Sequence, residues 1–260
     1  MRVAIFCKRG DDGFSAVAET LKRSFVKNRI EVVGADEHPD ALAVIGGDGT
    51  VLEAAKLAVD ISAPIFAINA GTVGFLASVE LGEVDNAAAK LKNGDYFVSE
   101  RTALKIECKG KEYFALNDCV VERGKAETTQ SVIGKIRLSI GGDTVYDLRA
   151  DGIIVATPTG STAYSLSSGG VILTPELKAF IATPVCSHAL STRPIVYPNS
   201  SVAKIEVLKN SSPCVLCVDG RAKEICVCGD EIIVSKHEKT LKIIDFKRNF
   251  FETIKTKLGE

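Results

Sequence analysis

The stretch "AVIGGDGTVLEAAK", residues 43–56, decides how the first part of this chain is read. An apolar run, Ala43 to Ile45, enters paired glycines, Gly46 and Gly47, and leaves into a helix-forming segment. Strand, glycine turn and helix start in that order make an anion-binding corner. Glycines at 46, 47 and 49 let backbone N–H groups approach a ligand closely, and a helix N-terminus carries partial positive charge. Thr50 is the expected N-cap of the helix. The turn also holds an acid, Asp48, where an anion would be received. It is not a Walker A loop, because no G-K-[ST] follows, nor is it the dinucleotide fingerprint G-x-G-x-x-G. By itself it reads equally as a tight strand-to-helix turn with an incidental acid.

Working outward, "VAIFC" (3–7), "IEVV" (30–33), "ALAVI" (41–45) and "PIFAIN" (64–69) read as short buried strands. Phe14, Val17, Ala18, Leu21 and Phe25 recur at helical spacing, and further helical stretches lie near 50–59 and 83–93. Strands alternating with helices imply a parallel sheet covered by helices. Near residue 95 the period changes. Leu104, Ile106 and Cys108 alternate with Lys105, Glu107 and Lys109, and Ile136 to Ile140 and Ala203 to Val207 do likewise. Period two is that of a half-buried strand, and it persists to about residue 245. Phe246, Phe250, Ile254 and Leu258 then recur every four residues. The expectation is an α/β domain with a parallel sheet over 1–95, a mostly β, sandwich-like domain over 96–245, and a helix over 246–260 that returns to cover the α/β domain.

With 260 residues the chain can bury a sizeable core, and a formal net charge of −1 gives no electrostatic footprint for nucleic acid or a membrane surface. No apolar run approaches the ~18 residues of a membrane span. The first strand begins at Arg2, which leaves no room for a signal peptide. The eight cysteines are irregularly spaced and mostly sit in apolar runs. Packed thiols in a reducing cytoplasm are the expectation. "CVLC" (214–217) and "CVC" (226–228) invite a zinc reading. Cys214 and Cys217, however, differ by an odd number and should face opposite sides of one strand. The order and spacing of His38, His188 and His237 suggest no nucleophilic triad.

Two more stretches bear on the glycine turn. "NAGTVGFLA" (69–77) follows the next strand, so two glycine-rich turns should share the carboxyl edge of one sheet, where α/β sheets bind ligands. "DGIIVATPTGSTAYSLSSGG" (151–170) concentrates short hydroxyls that can surround a polar ligand. Together with "LND" (116–118), "PVCSHALSTRPIVYP" (184–198) and "VDGR" (218–221), these stretches resemble the NAD kinases in order over nearly the whole chain. GGDGT is shared with lipid kinases, whereas T-P-T-G-S-T-A-Y-S in this position is specific.

The resemblance implies transfer of a phosphoryl group from ATP, another nucleotide or polyphosphate to the 2′-hydroxyl of the adenosine ribose of NAD. It implies Mg²⁺ or another divalent cation carried on the nucleotide. Gly46, Gly47, Gly49 and Thr50 would face the donor, and Asp48 would align the attacking hydroxyl and take its proton. Asn117 and Asp118 would contact the adenosine part of NAD. Thr159, Thr162, Ala163, Tyr164, Ser165, Leu166 and Ser167 would line the adenine and ribose pocket, Phe75 would cover it, and Asp151, with Arg149 nearby, would reach toward the nicotinamide. The resemblance also implies a homodimer or homotetramer in which a neighbouring subunit completes the site through the segment holding Cys186. Three positions depart from the family. Glu53 stands where Lys or Arg is usual, with Lys56 one turn later as a substitute; Arg221 replaces Gln; Ser187 replaces Pro. The rival readings are a lipid or small-alcohol kinase, which would need an apolar acceptor cleft, and a non-catalytic NAD(P)(H) sensor, which would have no use for Asp48.

Overall fold

Elements alternate along the first hundred residues as β1 (Arg2–Cys7), α1 (Asp12–Lys27), β2 (Glu31–Val33), β3 (Ala41–Ile45), α2 (Asp48–Asp60), β4 (Ile65–Asn69), β5 (Val79–Glu80), α3 (Val84–Asn93) and β6 (Phe97–Arg101). Strands then dominate: β7 (Leu104–Cys108), β8 (Lys111–Ala115), β9 (Asp118–Arg123), β10 (Gly134–Ile140), β11 (Asp143–Ala150) and β12 (Gly152–Ala156). The short helix α4 (Tyr164–Ser167) follows, then β13 (Ala179–Val185), β14 (Ile195–Pro198), β15 (Ala203–Val207), β16 (Cys214–Val218), β17 (Arg221–Cys226) and β18 (Glu231–Lys236). The chain closes with β19 (Leu241–Asp245) and α5 (Phe250–Leu258). This computed structural model describes residues 1–7, 12–70, 74–77, 79–124, 133–246 and 250–259, with side chains in α1 from residue 17 onward. Phe14 therefore lies outside the described side chains.

Two units form. The first is Met1–Arg101 with Thr240–Glu260, and the second is Thr102–Lys239. In the first, the sheet order is β2-β1-β3-β4-β19-β6, with β5 beside β4. Every residue of β3 and β4 is buried, as expected of central parallel strands covered on both faces. Ala18, Leu21 and Phe25 of α1 and Ala87, Ala88 and Leu91 of α3 pack into one cluster with Val3, Ala43, Ile45, Phe66 and Ile68.

The sheet departs from the sequence expectation in two respects. It is mixed, because β6 pairs antiparallel with β19. The first unit also takes up β6 and β19, both of which fall inside the 96–245 span expected for the β domain. β19 pairs parallel with β4, and Ile244 joins the α/β core. "LKIID" alternates like a sandwich strand, and its partner is set by long-range pairing that periodicity does not encode.

The second unit is a sandwich of two six-stranded sheets, β11-β10-β15-β18-β7-β8 and β14-β13-β12-β9-β16-β17. Leu104, Ile106, Ile136, Leu138 and Ile205 from one sheet meet Cys119, Val121, Ile153, Val155, Phe180 and Leu216 from the other in its core. The alternation read from the sequence is the inward face of these strands. β12 is buried along its whole length. Its second face, Ile154 and Ala156, packs with Val120, Ile181, Val185 and Leu173, so the chain after β12 folds back over the sheet. That return is what positions the hydroxyl-rich stretch.

The terminal stripe is shallower than its spacing suggests. Phe246 precedes α5 and packs edge-on against Phe66 and Tyr96, with ring centroids 5.8 Å and 6.5 Å apart. In α5 no residue is fully buried: Phe250 and Ile254 are half-buried and Leu258 is 46% exposed. Cys214 and Cys226 are buried and face each other across β16 and β17, while Cys228 lies past the end of β17 and is exposed. Among the described residues no helix is long and apolar enough to cross a membrane.

Candidate active site

The glycine turn leaves the carboxyl end of β3, and Gly46 N–H donates to Ile68 O of β4 at 3.0 Å. Helix α2 begins at Asp48, three residues earlier than a cap at Thr50 would place it. Its N-cap is Gly47, in extended conformation and without a side-chain cap hydrogen bond. Thr50 is therefore not the cap. It is buried in the first turn, and its side chain fills the space that a Cβ on Gly46 would take. Thr50 N–H and Val51 N–H both donate to Gly47 O, at 2.9 Å and 3.2 Å. The earlier N–H groups are those a helix leaves without an intrahelical acceptor. A Cβ on Gly47 or Gly49 would meet nothing within 4 Å. Internal packing does not require glycine at either place; close approach of a ligand would.

Asp48 joins the two glycine-rich turns. Its Oδ2 accepts from Phe75 N–H at 2.8 Å and its Oδ1 from Leu76 N–H at 3.0 Å. This contact needs Gly74, where any Cβ would overlap the carboxylate. The shared sheet edge expected for 46–50 and 69–77 is thus present at residues 74–77; residues 71–73 lie outside the described residues. Phe75 is half-buried, and Lys257 Nζ of α5 sits 5.3 Å from its ring centroid. Lys56, expected to stand in at the turn, instead pairs with Asp60 at 2.7 Å, toward the far end of α2.

In the second unit, β8 leads into residues 116–118 and β12 into 157–163. Thr157 N–H donates to Asn117 O at 2.9 Å, and Thr157 Oγ1 donates to Leu116 O at 2.6 Å. Gly160 is pressed against the backbone of Asn117 so closely that a Cβ has no room. Asp118 is 4% exposed, and among the described residues no hydrogen bond reaches its carboxyl group. Burial, and secondarily the negative charge of Asp219, push that carboxyl up to about 7. Asn117 Oδ1 is buried and has no partner among the described residues. A buried amide oxygen and an adjacent buried carboxyl left unpaired in this way cost free energy unless a ligand completes them.

The hydroxyl-rich stretch divides into framework and lining. Thr157, Ser161 and Ser165 are fully buried. Ser161 Oγ donates to Pro158 O at 2.6 Å and accepts Leu173 N–H at 2.9 Å. Ser165 Oγ lies 2.9 Å from Thr183 Oγ1, so its hydroxyl is turned into the protein and not toward a pocket. A loop lying on a sheet must satisfy its own polar groups, and these three side chains do so. Thr159 is nearly buried; Thr162 and Ala163 are half-buried, with Thr162 Oγ1 donating to Thr159 O at 3.2 Å. Tyr164 (41% exposed), half-buried Leu166 and exposed Ser167 remain accessible. Arg149 is exposed near the end of β11, and Asp151, two residues on, pairs with Arg123 Nε at 2.8 Å. Asp219, noted in the sequence only as part of "VDGR", lies against 116–118.

Known proteins resemble this chain in sequence and fold. A sequence model described as the ATP-NAD kinase N-terminal domain matches residues 31–96, and one described as the C-terminal domain matches 116–246. An NAD kinase of Clostridium botulinum is 38% identical over 261 residues, covering 96% of this chain and 90% of that protein. One of Heliobacterium modesticaldum is 38% identical over 227 residues, covering 85% and 79%. The chain belongs to the NAD kinase family. Its fold is that of NAD kinases of known structure. A yeast NADH kinase complexed with NADH superposes with a TM-score of 0.84 at 24% identity, covering 99% of this chain and 87% of that one. An NAD kinase from Archaeoglobus fulgidus in complex with ATP gives 0.79 at 24% identity, covering 99% and 98%. GGDGT, the Asn117–Asp118 pair and the 157–167 stretch lie inside the two matched regions.

Proposed function

We propose that this chain moves the terminal phosphoryl group of ATP onto the 2′-hydroxyl of the adenosine ribose of NAD, giving NADP. The observation that carries the assignment is the Asn117–Asp118 pair: a half-buried amide whose buried Oδ1 has no partner, beside a buried carboxyl with no hydrogen bond among the described residues, on a loop whose backbone is already hydrogen-bonded. A carboxylate accepts from ribose hydroxyls, and an amide both donates and accepts at a base edge. Polar surroundings of this kind suit a nucleoside and not the apolar acceptor of a lipid kinase.

Asp48 serves as the base. Each of its oxygens accepts one N–H, from Phe75 and from Leu76, and each keeps a further lone pair. The two N–H donors fix the carboxylate, and a free lone pair can align the attacking hydroxyl. In a loose phosphoryl-transfer transition state the proton leaves late, and Asp48 takes it then. The first N–H groups of α2 and the backbone of Gly47 and Gly49 would hold donor phosphates. Mg²⁺ keeps several waters and is usually bound by one or two carboxylates plus substrate phosphates, so in this proposal the cation would be carried on the nucleotide. When bound, it offsets charge on the transferring group. Lining by Thr162, Ala163, Tyr164, Leu166 and Ser167, and contact of Asp151 with the nicotinamide end, belong to the same proposal. So do a cytoplasmic location and a homodimer or homotetramer, which sedimentation would test.

The assay is purified protein with NAD or NADH against ATP, other nucleotides and polyphosphate, with and without Mg²⁺, reading NADP(H). Metal-dependent formation of NADP supports the proposal, and no NADP(H) from any donor overturns it.

A further inference from the structure

We infer that Asp219 is the positioning residue for acceptor recognition: its carboxylate gathers the backbone N–H groups of Leu116, Asn117 and Asp118 and so aims the side chains of Asn117 and Asp118. The inference rests on the proposed function of that pair. Asp219 Oδ2 accepts from Leu116 N–H at 2.9 Å, and Oδ1 accepts from Asn117 N–H at 2.8 Å and Asp118 N–H at 3.1 Å. In return Asp219 N–H donates to Asp118 O at 3.1 Å. From the other side Thr157 takes the carbonyls of Leu116 and Asn117. The peptide groups of this short segment are thereby held at their N–H groups and at their carbonyls. Only side chains remain to meet a ligand.

Asp219 and Gly220 form the two-residue turn between β16 and β17, both with positive φ, +45° and +73°. Asp-Gly is a favoured pair for such a hairpin, and Asn-Gly serves it equally well. The turn therefore explains a small polar residue at 219 but not a carboxylate. Three backbone donors converging on one side chain do explain it, because only a carboxylate accepts at both ends. Holding recognition groups in place before the ligand arrives lowers the ordering cost of binding.

Asp219→Asn keeps the hairpin chemistry and removes one accepting end. The expected result is a KM for NAD raised ~10-fold or more, with kcat and the KM for ATP changed by less than about twofold. A merely structural role would lower stability and move both KM values together, or leave both unchanged; either result overturns the inference. Hydrogen exchange on the full wild-type chain without nucleotide supplies a second test that needs no variant. The amides of Leu116, Asn117 and Asp118 should be protected, and exchange at the rate of exposed loop amides would overturn the clamp. Exchange also separates the two readings: a wild-type protein that makes no NADP refutes the proposed activity while leaving the amide measurement to judge the clamp.

Discussion

Asp48, in the first unit, has a backbone N–H on each carboxylate oxygen, whereas Asp118, in the second, is buried with no hydrogen bond to its carboxyl among the described residues. The contrast extends to the surrounding loops. The turn at 46–50 leaves space in front of Gly47 and Gly49, while the loop at 157–163 is packed so tightly on 116–118 that Gly160 has no room for a side chain. One carboxylate is fixed by two backbone donors; the other is buried, its pKa raised to about 7, and has no donor fixing it among the described residues. This division suits a base that acts during transfer and a recognition group that acts on binding.

The largest test of that division is Asp48→Asn. Turnover should fall at least ~10²-fold, the scale of a positioned acid–base group, with NAD affinity by calorimetry nearly unchanged. Near-wild-type turnover would remove Asp48 from the chemistry and leave it as an anchor for Phe75 and Leu76.

Glycine substitutions probe the loops next. Gly160→Ala should destabilise the protein by about 1–3 kcal/mol, the usual cost of overpacking, and weaken NAD binding, because the new methyl group meets the Asn117 backbone. Gly49→Ala should melt within about a degree of wild type, since its methyl group enters open space, yet raise the KM for ATP. Equal thermal shifts in the two variants would erase the distinction between a packed and an open loop.

Asp118 gives a pair of opposite pH responses. Its carboxyl titrates near 7 when folded and near 3.9 when unfolded. Between those values the folded state binds the extra proton, so stability from this group falls as pH rises from about 4 to about 7. NAD affinity should move the other way, because a ribose hydroxyl donates to the ionised form. Asp118→Asn should flatten both profiles and weaken NAD binding by about 1–3 kcal/mol at neutral pH. A KM for NAD that rises with pH across neutrality in the wild type would show that the protonated carboxyl is the binding form.

Much of this was legible in the chain because it depends on local chemistry. Gly46 to Thr50 announce a turn, and continuous apolar runs at 41–45 and 65–69 announce doubly covered strands. What was missed depends on partners distant in sequence. Nothing in "LKIID" says that β19 joins the sheet of β4. Ser165 and Ser167 look alike in a hydroxyl-rich run, but Thr183 claims the first and leaves the second exposed. Thr50 looked like a cap because threonine caps helices; the cap is instead Gly47, three residues earlier, and Thr50 is spent filling the gap beside Gly46. Asp219 read as turn chemistry because Asp-Gly is sufficient for a hairpin, and its three N–H partners lie about a hundred residues away.

The smallest effect concerns α5, which belongs to the unit that holds Asp48. Its half-buried Phe250 and Ile254 hold it loosely, and Lys257 lies over the ring of Phe75, whose N–H donates to Asp48. Phe246, packed on Phe66 and Tyr96, precedes the helix and would survive its removal. Ending the chain after Phe246 should therefore cost only on the order of 1–3 kcal/mol and keep a cooperative melt. Lys257→Ala should cost about 0.5–1 kcal/mol, the worth of an exposed cation–π contact. Both changes should lower turnover through Phe75 while leaving NAD affinity, and amide protection at 116–118, as in the full chain. If the shortened protein aggregated, the helix would be covering far more of the α/β face than Phe250 and Ile254 account for. If NAD affinity fell with turnover intact, α5 would be acting on the Asp118 side, and the assignment of the two carboxylates to separate tasks would need to be redrawn.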